Sequence, residues 1–195
     1  MADDVSAGAR LASNVVDDDA LLAAIAGGDQ SAFAQLMSHH ASRAYSLAFR
    51  ILGRRGDAED VVQDAFLQVW TRAGQWQAGR AKFSTWLYRV VVNRCLDLKR
   101  RPRTADIAAI EEPADPTADA LQDMETAQRN AALVAAVANL PERQRAAIAL
   151  TYTTGLKNAA AAAVMEMSVK AFEGLLVRAK RTLRDQLAAT EGEPL

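Results

Sequence analysis

The sequence predicts an all-α fold: two small helical domains joined by a flexible acidic linker, the second containing a helix-turn-helix. Three observations carry that reading. Apolar residues recur at helical spacing through most of the chain, and strand-like alternation is weak throughout. The five prolines stand at positions 102, 113, 116, 141 and 194, so none breaks a long periodic run. The segment 102–120 combines prolines and acids with little apolar mass, and it divides the periodic segments into two groups.

Each element has its own local signals. Residues 1–17 read as a flexible arm. A first helix runs from about Asp18 to Ala26 and ends at Gly27-Gly28. A second begins near Ser31, carries Phe33, Leu36, Met37, Tyr45, Leu47, Phe49 and Ile51, and stops at Gly53. A third spans about Asp57 to Arg72, with acids in its first turn where the helix dipole favours them. In the fourth, no Gly or Pro interrupts Lys82 to Arg101, and Phe83, Leu87, Val90, Val91 and Leu98 form one apolar stripe. These four helices fill a first domain, 18–101. After the linker, Leu121 to Ala138 forms a helix. Leu140-Pro141-Glu142 opens the next, which reaches about Thr153 before Gly155, with proline at its first turn. Helices over Lys157–Met165 and Val169–Leu187 complete a second domain, 121–188, and residues 189–195 read as a tail.

The formal net charge of −1 hides strong segregation. The first twenty residues carry Asp3, Asp4, Asp17, Asp18 and Asp19 against Arg10, and residues 104–128 contain seven acids and no base. Basic charge concentrates in Arg43–Arg103 and Lys170–Arg184, and local charge is what a polyanion meets. The single cysteine, Cys95, allows no intramolecular disulfide and reads as a small buried hydrophobe. The acidic start has no apolar signal-peptide core, and no apolar run approaches a membrane span. The expectation is a cytoplasmic protein.

The stretch Trp76 to Arg103 sets Trp76, Phe83, Trp86 and Tyr88 among Arg80, Lys82, Arg89, Arg94, Lys99, Arg100, Arg101 and Arg103, opposed only by Asp97. Cations draw a phosphate backbone, and ring faces give unpaired bases a stacking platform, so this composition points to single-stranded or opened nucleic acid. Opposite the apolar stripe, Lys82, Trp86, Arg89, Asn93 and Arg100 share a face. The plainer alternative is that Trp86 and Tyr88 are core residues and the arginines are merely solvated; the cationic excess favours nucleic acid.

The segment Gly155–Arg184 has the length and punctuation of a helix-turn-helix. The alanine-rich Asn158–Met165 permits close packing, Glu166-Met167-Ser168 forms the turn, and Ser168 suits an N-cap. In such motifs the early residues of the second helix meet base edges in the major groove. Lys170, Glu173 and Gly174 take that place, with Arg178 and Arg181 nearer the phosphates. Glu173 can accept from a cytosine amino group or make an internal contact, and both readings stay open.

Enzymatic alternatives find less support. Asp57, Asp60 and Asp64 share a helical face, as a magnesium-dependent nuclease would require, but no histidine or second carboxylate cluster converges on them. His39 and His40 are adjacent, point to different faces and read as surface residues; Asp17–Asp19 lacks the spacing of a calcium loop. The expectation is no catalytic site, no metal and no cofactor.

Four segments in order, GDQSAFAQLMSHH, GRRGDAEDVVQDAFLQVW, FSTWLYRVVVNRCLDLKRR and LPERQRAAIALTYTTGL followed by SVKAFEGLLVRAKRTLR, resemble the extracytoplasmic-function group of bacterial RNA polymerase sigma factors. The resemblance covers about Leu21 to Leu187. It implies a first domain similar to sigma region 2 and a second similar to region 4, acting in a stress or envelope response. It implies that Asp60, Gln63, Asp64, Leu67 and Trp70 bind core RNA polymerase. It also implies that Gln75–Asn93 recognises and melts the −10 promoter element, flipping a base. Trp76, Arg80, Lys82, Trp86, Tyr88, Arg89, Asn93 and Arg100 are the residues expected to do so. The last helix would read the −35 element through Ser168, Lys170, Glu173, Gly174, Arg178 and Arg181. Promoter DNA, core polymerase and an anti-sigma factor are the implied partners. An ordinary helix-turn-helix regulator that binds duplex without melting it is the alternative. The chain departs from the family pattern at Ala159–Ala163, at Glu166 where a turn glycine is frequent, and at Glu173 and Leu175 where a lysine and an arginine often stand.

Overall fold

Local chemistry decides where the helices begin and end in a computed structural model of the chain, which describes residues 17–100 and 122–191. Eight α-helices lie among the described residues: α1 Asp18–Ala26, α2 Gln30–Leu52, α3 Arg55–Arg72, α4 Phe83–Arg100, α5 Gln122–Ala138, α6 Glu142–Thr154, α7 Asn158–Val164 and α8 Val169–Glu191, with a 3-10 turn at Ala73–Gln75. The expected linker and nearly all of the expected N-terminal arm lie outside the described residues. The last helix extends to Glu191, four residues beyond its expected end and into the expected tail. None of the described helices is long and apolar enough to cross a membrane.

Caps explain the boundaries. Asp17 accepts from the Asp19 amide at 3.1 Å and starts α1. Asp29 starts α2 by accepting from the amides of Ser31 at 2.8 Å and Ala32 at 3.1 Å, and from the Ser31 hydroxyl at 2.8 Å. Gly53 ends α2 at φ 75°, a left-handed conformation that glycine adopts without a Cβ clash, and its amide donates to Phe49 O at 2.7 Å. Gly155 ends α6 in the same way, at φ 66°.

Leu36, Leu47 and Ile51 of α2, Val61 and Val69 of α3, and Leu87, Val91 and Val92 of α4 are fully buried. Cys95 is buried with them, as expected of a small hydrophobe. In the second half, Leu140, Leu150, Val164 and Phe172 are fully buried, and Phe172 is the largest such side chain. The two halves are not held apart. α2 packs on α6, α4 packs on α7, and the buried residues of both halves join in one continuous core. Arg145 is 7% exposed and donates to Leu140 O at 3.4 Å; desolvation lowers its guanidinium pKa, with Glu142 opposing.

The bonds to Asp29 hold its carboxyl below the ordinary value of 3.8, the Ser31 hydroxyl contributing most. A depressed folded pKa adds stability that is complete above the unfolded value and is lost as pH falls through the folded one. Asp29→Ala should therefore lower Tm by about 2–4 °C at neutral pH. The gap from the parent protein should close in thermal melts at pH below 3.8. A gap that persists undiminished in acid would reject the cap as its cause.

Candidate polymerase and nucleic-acid interfaces

Three helix faces carry the candidate residues, and each is turned outward by the apolar stripe behind it. On α4, burial of Phe83, Leu87, Val91 and Cys95 leaves Lys82 and Asn93 exposed and Trp86 and Arg89 half-buried. Trp86 stacks on Phe83 at 5.9 Å between centroids, and Trp76 meets both rings edge-on, at 6.0 Å from Phe83 and 6.3 Å from Trp86. Asp19 of α1 fixes this assembly. Its carboxylate accepts from the Trp76 indole N–H at 2.6 Å and from the Gly79 amide at 3.0 Å, tying down the loop before α4.

Together these residues form an open recess of about 410 Å³ lined by Gln75, Trp76, Arg80, Thr85, Trp86 and Arg89, among others. That is within the range of ligand pockets, roughly 300–1,000 Å³. Arg80 donates to Gln77 Oε1 at 2.7 Å at its edge. Two indole rings and two guanidinium groups line the recess, the pairing of stacking surface and cation that suits a planar base and its phosphate.

Tyr88 is a correction. It is 2% exposed, and burial pushes its phenol above the ordinary value, so it belongs to the core rather than to the stacking surface. It stands beside Leu87 and one turn before Val91 and Val92, on the buried stripe. His40 is the second correction. It is not a surface residue: its Nε2 lies 2.8 Å from Asp18, and its ring meets Phe83 edge-on at 5.0 Å. His39 is exposed as expected. Arg100 closes α4, and its side chain lies outside the described residues.

On α3, Asp60 and Gln63 are exposed and Leu67 is 60% exposed, an apolar side chain presented among polar ones. Trp70 is half-buried against Phe33, edge-on at 5.2 Å. Asp64 sits at the margin of this face, where Arg94 of α4 donates to its Oδ2 from Nη2 at 2.7 Å and from Nε at 3.0 Å. That pair joins α3 to α4 and occupies part of the charge that a partner would meet.

On α8, the Ser168 hydroxyl accepts from the Ala171 amide at 3.2 Å, the N-cap geometry expected of it. Lys170, Glu173, Arg178 and Arg181 are exposed, and Gly174 is half-exposed. Glu173 accepts from Asn158 Nδ2 at 3.3 Å, so of the two open readings the internal contact is the one made here. Sequence reasoning missed Val177. It is 67% exposed and shares a face with Lys170, Glu173, Gly174 and Arg181 at helical spacing. The signal was present, because Val177 is out of register with the buried series Phe172, Leu175, Leu176 and Ala179. Behind it, Lys180 lies over the exposed Tyr152 ring at 5.7 Å.

Comparison with known proteins identifies the family. Residues 36–104 match Sigma-70 region 2, and residues 130–183 match Sigma-70 region 4. The ECF RNA polymerase sigma factor SigM of Mycobacterium tuberculosis (strain ATCC 25618 / H37Rv) is 36% identical over 167 residues, covering 85% of this chain and 82% of the relative. The ECF RNA polymerase sigma factor SigE of Mycolicibacterium smegmatis is 33% identical over 175 residues, covering 86% of this chain and 67% of the relative. The chain belongs to the extracytoplasmic-function (ECF) family of RNA polymerase sigma factors.

The fold agrees with this sigma-factor assignment. A solved structure of CnrH in complex with the cytosolic domain of CnrY superposes with a TM-score of 0.67 at 30% identity, covering 89% of this chain and 98% of that one. The sigma factor RpoE in complex with the anti-sigma factor NepR from Bartonella quintana superposes at 0.63, and at 22% identity it supports the fold alone, over 80% of this sigma factor and 96% of that chain.

Proposed function

We propose that this ECF sigma factor joins core RNA polymerase through the outer face of α3 and opens promoter DNA at the recess between the Ala73–Gln75 turn and α4. Asp60, Gln63 and Leu67 form the polymerase contact, with Asp64 and Trp70 at its margins. Trp76 and Trp86 receive an unstacked −10 base, while Arg80, Lys82, Arg89, Asn93 and Arg100 hold the backbone. On α8, Lys170, Glu173, Gly174, Arg178 and Arg181 face the −35 element, with Ser168 setting the start of the helix and Val177 offering a methyl surface to thymine. The recess lined by two tryptophans and two arginines is the observation that carries this reading.

The energies are commensurate. Parting one base-pair step costs on average about 1.4 kcal/mol. One base stacked on a ring returns about 1–3 kcal/mol. A single captured base therefore offsets roughly one step, and a polymerase that holds the duplex in place makes up the remainder. A duplex reader needs no such recess. Nor do the carboxylates of α3 compose a catalytic centre: Asp64 is bound to Arg94, and Arg54 lies 3.8 Å from Asp57. Among the described residues no group of three or more His, Cys, Asp or Glu side chains could hold a metal ion. The role is that of a non-enzymatic initiation factor working where polymerase and chromosome meet, in the cytoplasm. An anti-sigma factor is proposed as a further partner, and the solved complex of CnrH with the cytosolic domain of CnrY supports a protein partner of this kind.

With core polymerase and a promoter template, Trp86→Ala should reduce permanganate-reactive thymines about five- to a hundredfold, the worth of one stacked base. Affinity for core polymerase should stay unchanged, and an equal loss in both would assign Trp86 to packing. Asp60→Arg should weaken association with core polymerase about tenfold, more at low salt than at high, as expected of a rim charge. Unchanged affinity in a pull-down titration would remove α3 from the contact. Val177→Ala should cut the preference for thymine at one −35 position about three- to tenfold in a base-substitution series, the value of lost methyl burial. A uniform loss across all bases would mean that Val177 only supports the helix.

A further inference from the structure

Two adjacent acids at the start of α1 reach in different directions. Successive residues on a helix point about 100° apart, so neighbours there serve different elements. Asp19 holds Trp76 and Gly79 in the loop before α4. Asp18 accepts instead from His40 of α2, with Oδ1 at 2.8 Å from Nε2. The His40 ring meets Phe83 of α4 edge-on at 5.0 Å, and Phe83 in turn meets Trp76 at 6.0 Å. Asp18, His40, Phe83, Trp76 and Asp19 thus form a circuit, closed by the peptide bond between the two acids. Trp76 is gripped twice, at its indole N–H and at its ring.

His40 is the member of this circuit that belongs neither to the outer face of α3 nor to the lining of the recess. Its chemistry is specific. A carboxylate only accepts, so Nε2 is the donor, and in the neutral ring Nδ1 is the bare nitrogen. Nδ1 is buried and has no partner among the described residues. An apolar side chain would avoid the cost of that unpaired atom, so filling space does not account for a histidine here. The His40 and Asp18 side chains are only 12% and 28% exposed, which shelters their bond from water. Phe83 is buried and stacks on Trp86 at 5.9 Å, so a shift behind it passes to both tryptophans of the recess.

We propose that His40 is a positioning residue of the recess, holding the start of α1 and the base of the ring cluster in one register so that Trp76 and Trp86 stand ready for an unstacked base. The inference rests on the reading of the recess as the place where promoter DNA opens. The hydrogen bond is the deciding contact. Without the His40 donor the first turn of α1 loses its tie to α2, and Asp19 moves with Asp18 because the two are adjacent in the chain. Trp76 then keeps its ring neighbour but loses a fixed acceptor, and the recess loses the preorganised shape that makes capture of a base cheap.

The test uses the full chain and follows the Trp76 indole N–H by proton–nitrogen NMR, its resonance assigned by its loss in Trp76→Phe. Asp19 accepts that proton and His40 does not, so its exchange with water reports an effect passed along the circuit. His40→Ala should speed the exchange about three- to tenfold. With core polymerase and a promoter template it should lower permanganate-reactive thymines by a similar factor, while affinity for core polymerase stays unchanged. His40→Gln keeps a donor for Asp18 and should restore most of both signals; His40→Phe keeps a ring without a donor and should not. If His40→Ala does not fold, Asp18→Asn, which keeps the acceptor and removes its charge, should speed the exchange by a smaller factor. Unchanged exchange in these variants overturns the proposal. So does rescue by Phe and not by Gln, since packing alone would then suffice, and so does a loss of polymerase affinity equal to the loss of opening. Exchange is measured on the free protein, so a parent chain that opens no promoter would overturn the reading of the recess while leaving the circuit to be judged on the exchange rates.

Discussion

A single helix has to satisfy two demands, and the first half is arranged around that constraint. α4 must bury enough apolar surface to stay fixed, yet it must present rings and cations to solvent. Leu87, Val91, Val92 and Cys95 meet the first demand with no exposure at all. Trp86 and Arg89, only partly buried, meet the second. An aromatic surface of this kind is useful only if it does not collapse into the core. The charged bond from the Trp76 indole to Asp19 prevents collapse by holding one ring upright against the edge of two others. Rings already held in place would leave little ordering entropy to oppose the capture proposed for a base.

The same economy of pairing recurs across the other faces. Arg94 is cationic and belongs to the basic stretch, yet its two bonds to Asp64 turn it into a brace between α3 and α4. Asp60, Gln63 and Leu67 are left as the open part of α3. Glu173 is diverted towards Asn158, which leaves Val177 and the cations as the forward surface of α8. In each case an opposite charge or an amide occupies one member of a row and narrows the face that a partner meets.

Helix boundaries were legible in the sequence because their causes are local. Asp17, Asp29, Gly53, Pro141, Gly155 and Ser168 act on amides and carbonyls within a few residues of themselves. The outward face of α4 was legible from periodicity for the same reason, whereas the residues on α3 came from the family resemblance and those on α8 from the helix-turn-helix pattern. Tyr88 was misplaced because composition was weighed above position: it lies among cations in sequence but on the buried side in space. Asp19 with Trp76, Asp18 with His40 and Asp64 with Arg94 were not legible, since each joins helices or loops far apart in the chain. Asp19, counted in the sequence only among the acids near the N-terminus, anchors the loop at the recess.

Why the halves meet where they do follows from the same pairing logic. Arg89, a half-buried arginine beside an aromatic recess, finds its nearest carboxylate within the chain itself. Glu166 reaches Arg89 from a turn whose conformation glycine would hold more easily. The contact is weak on its own scale, a partly solvated pair worth at most about 1 kcal/mol. A solvated pair contributes little to holding the halves together, so the packing of α2 on α6 and of α4 on α7 carries most of the contact.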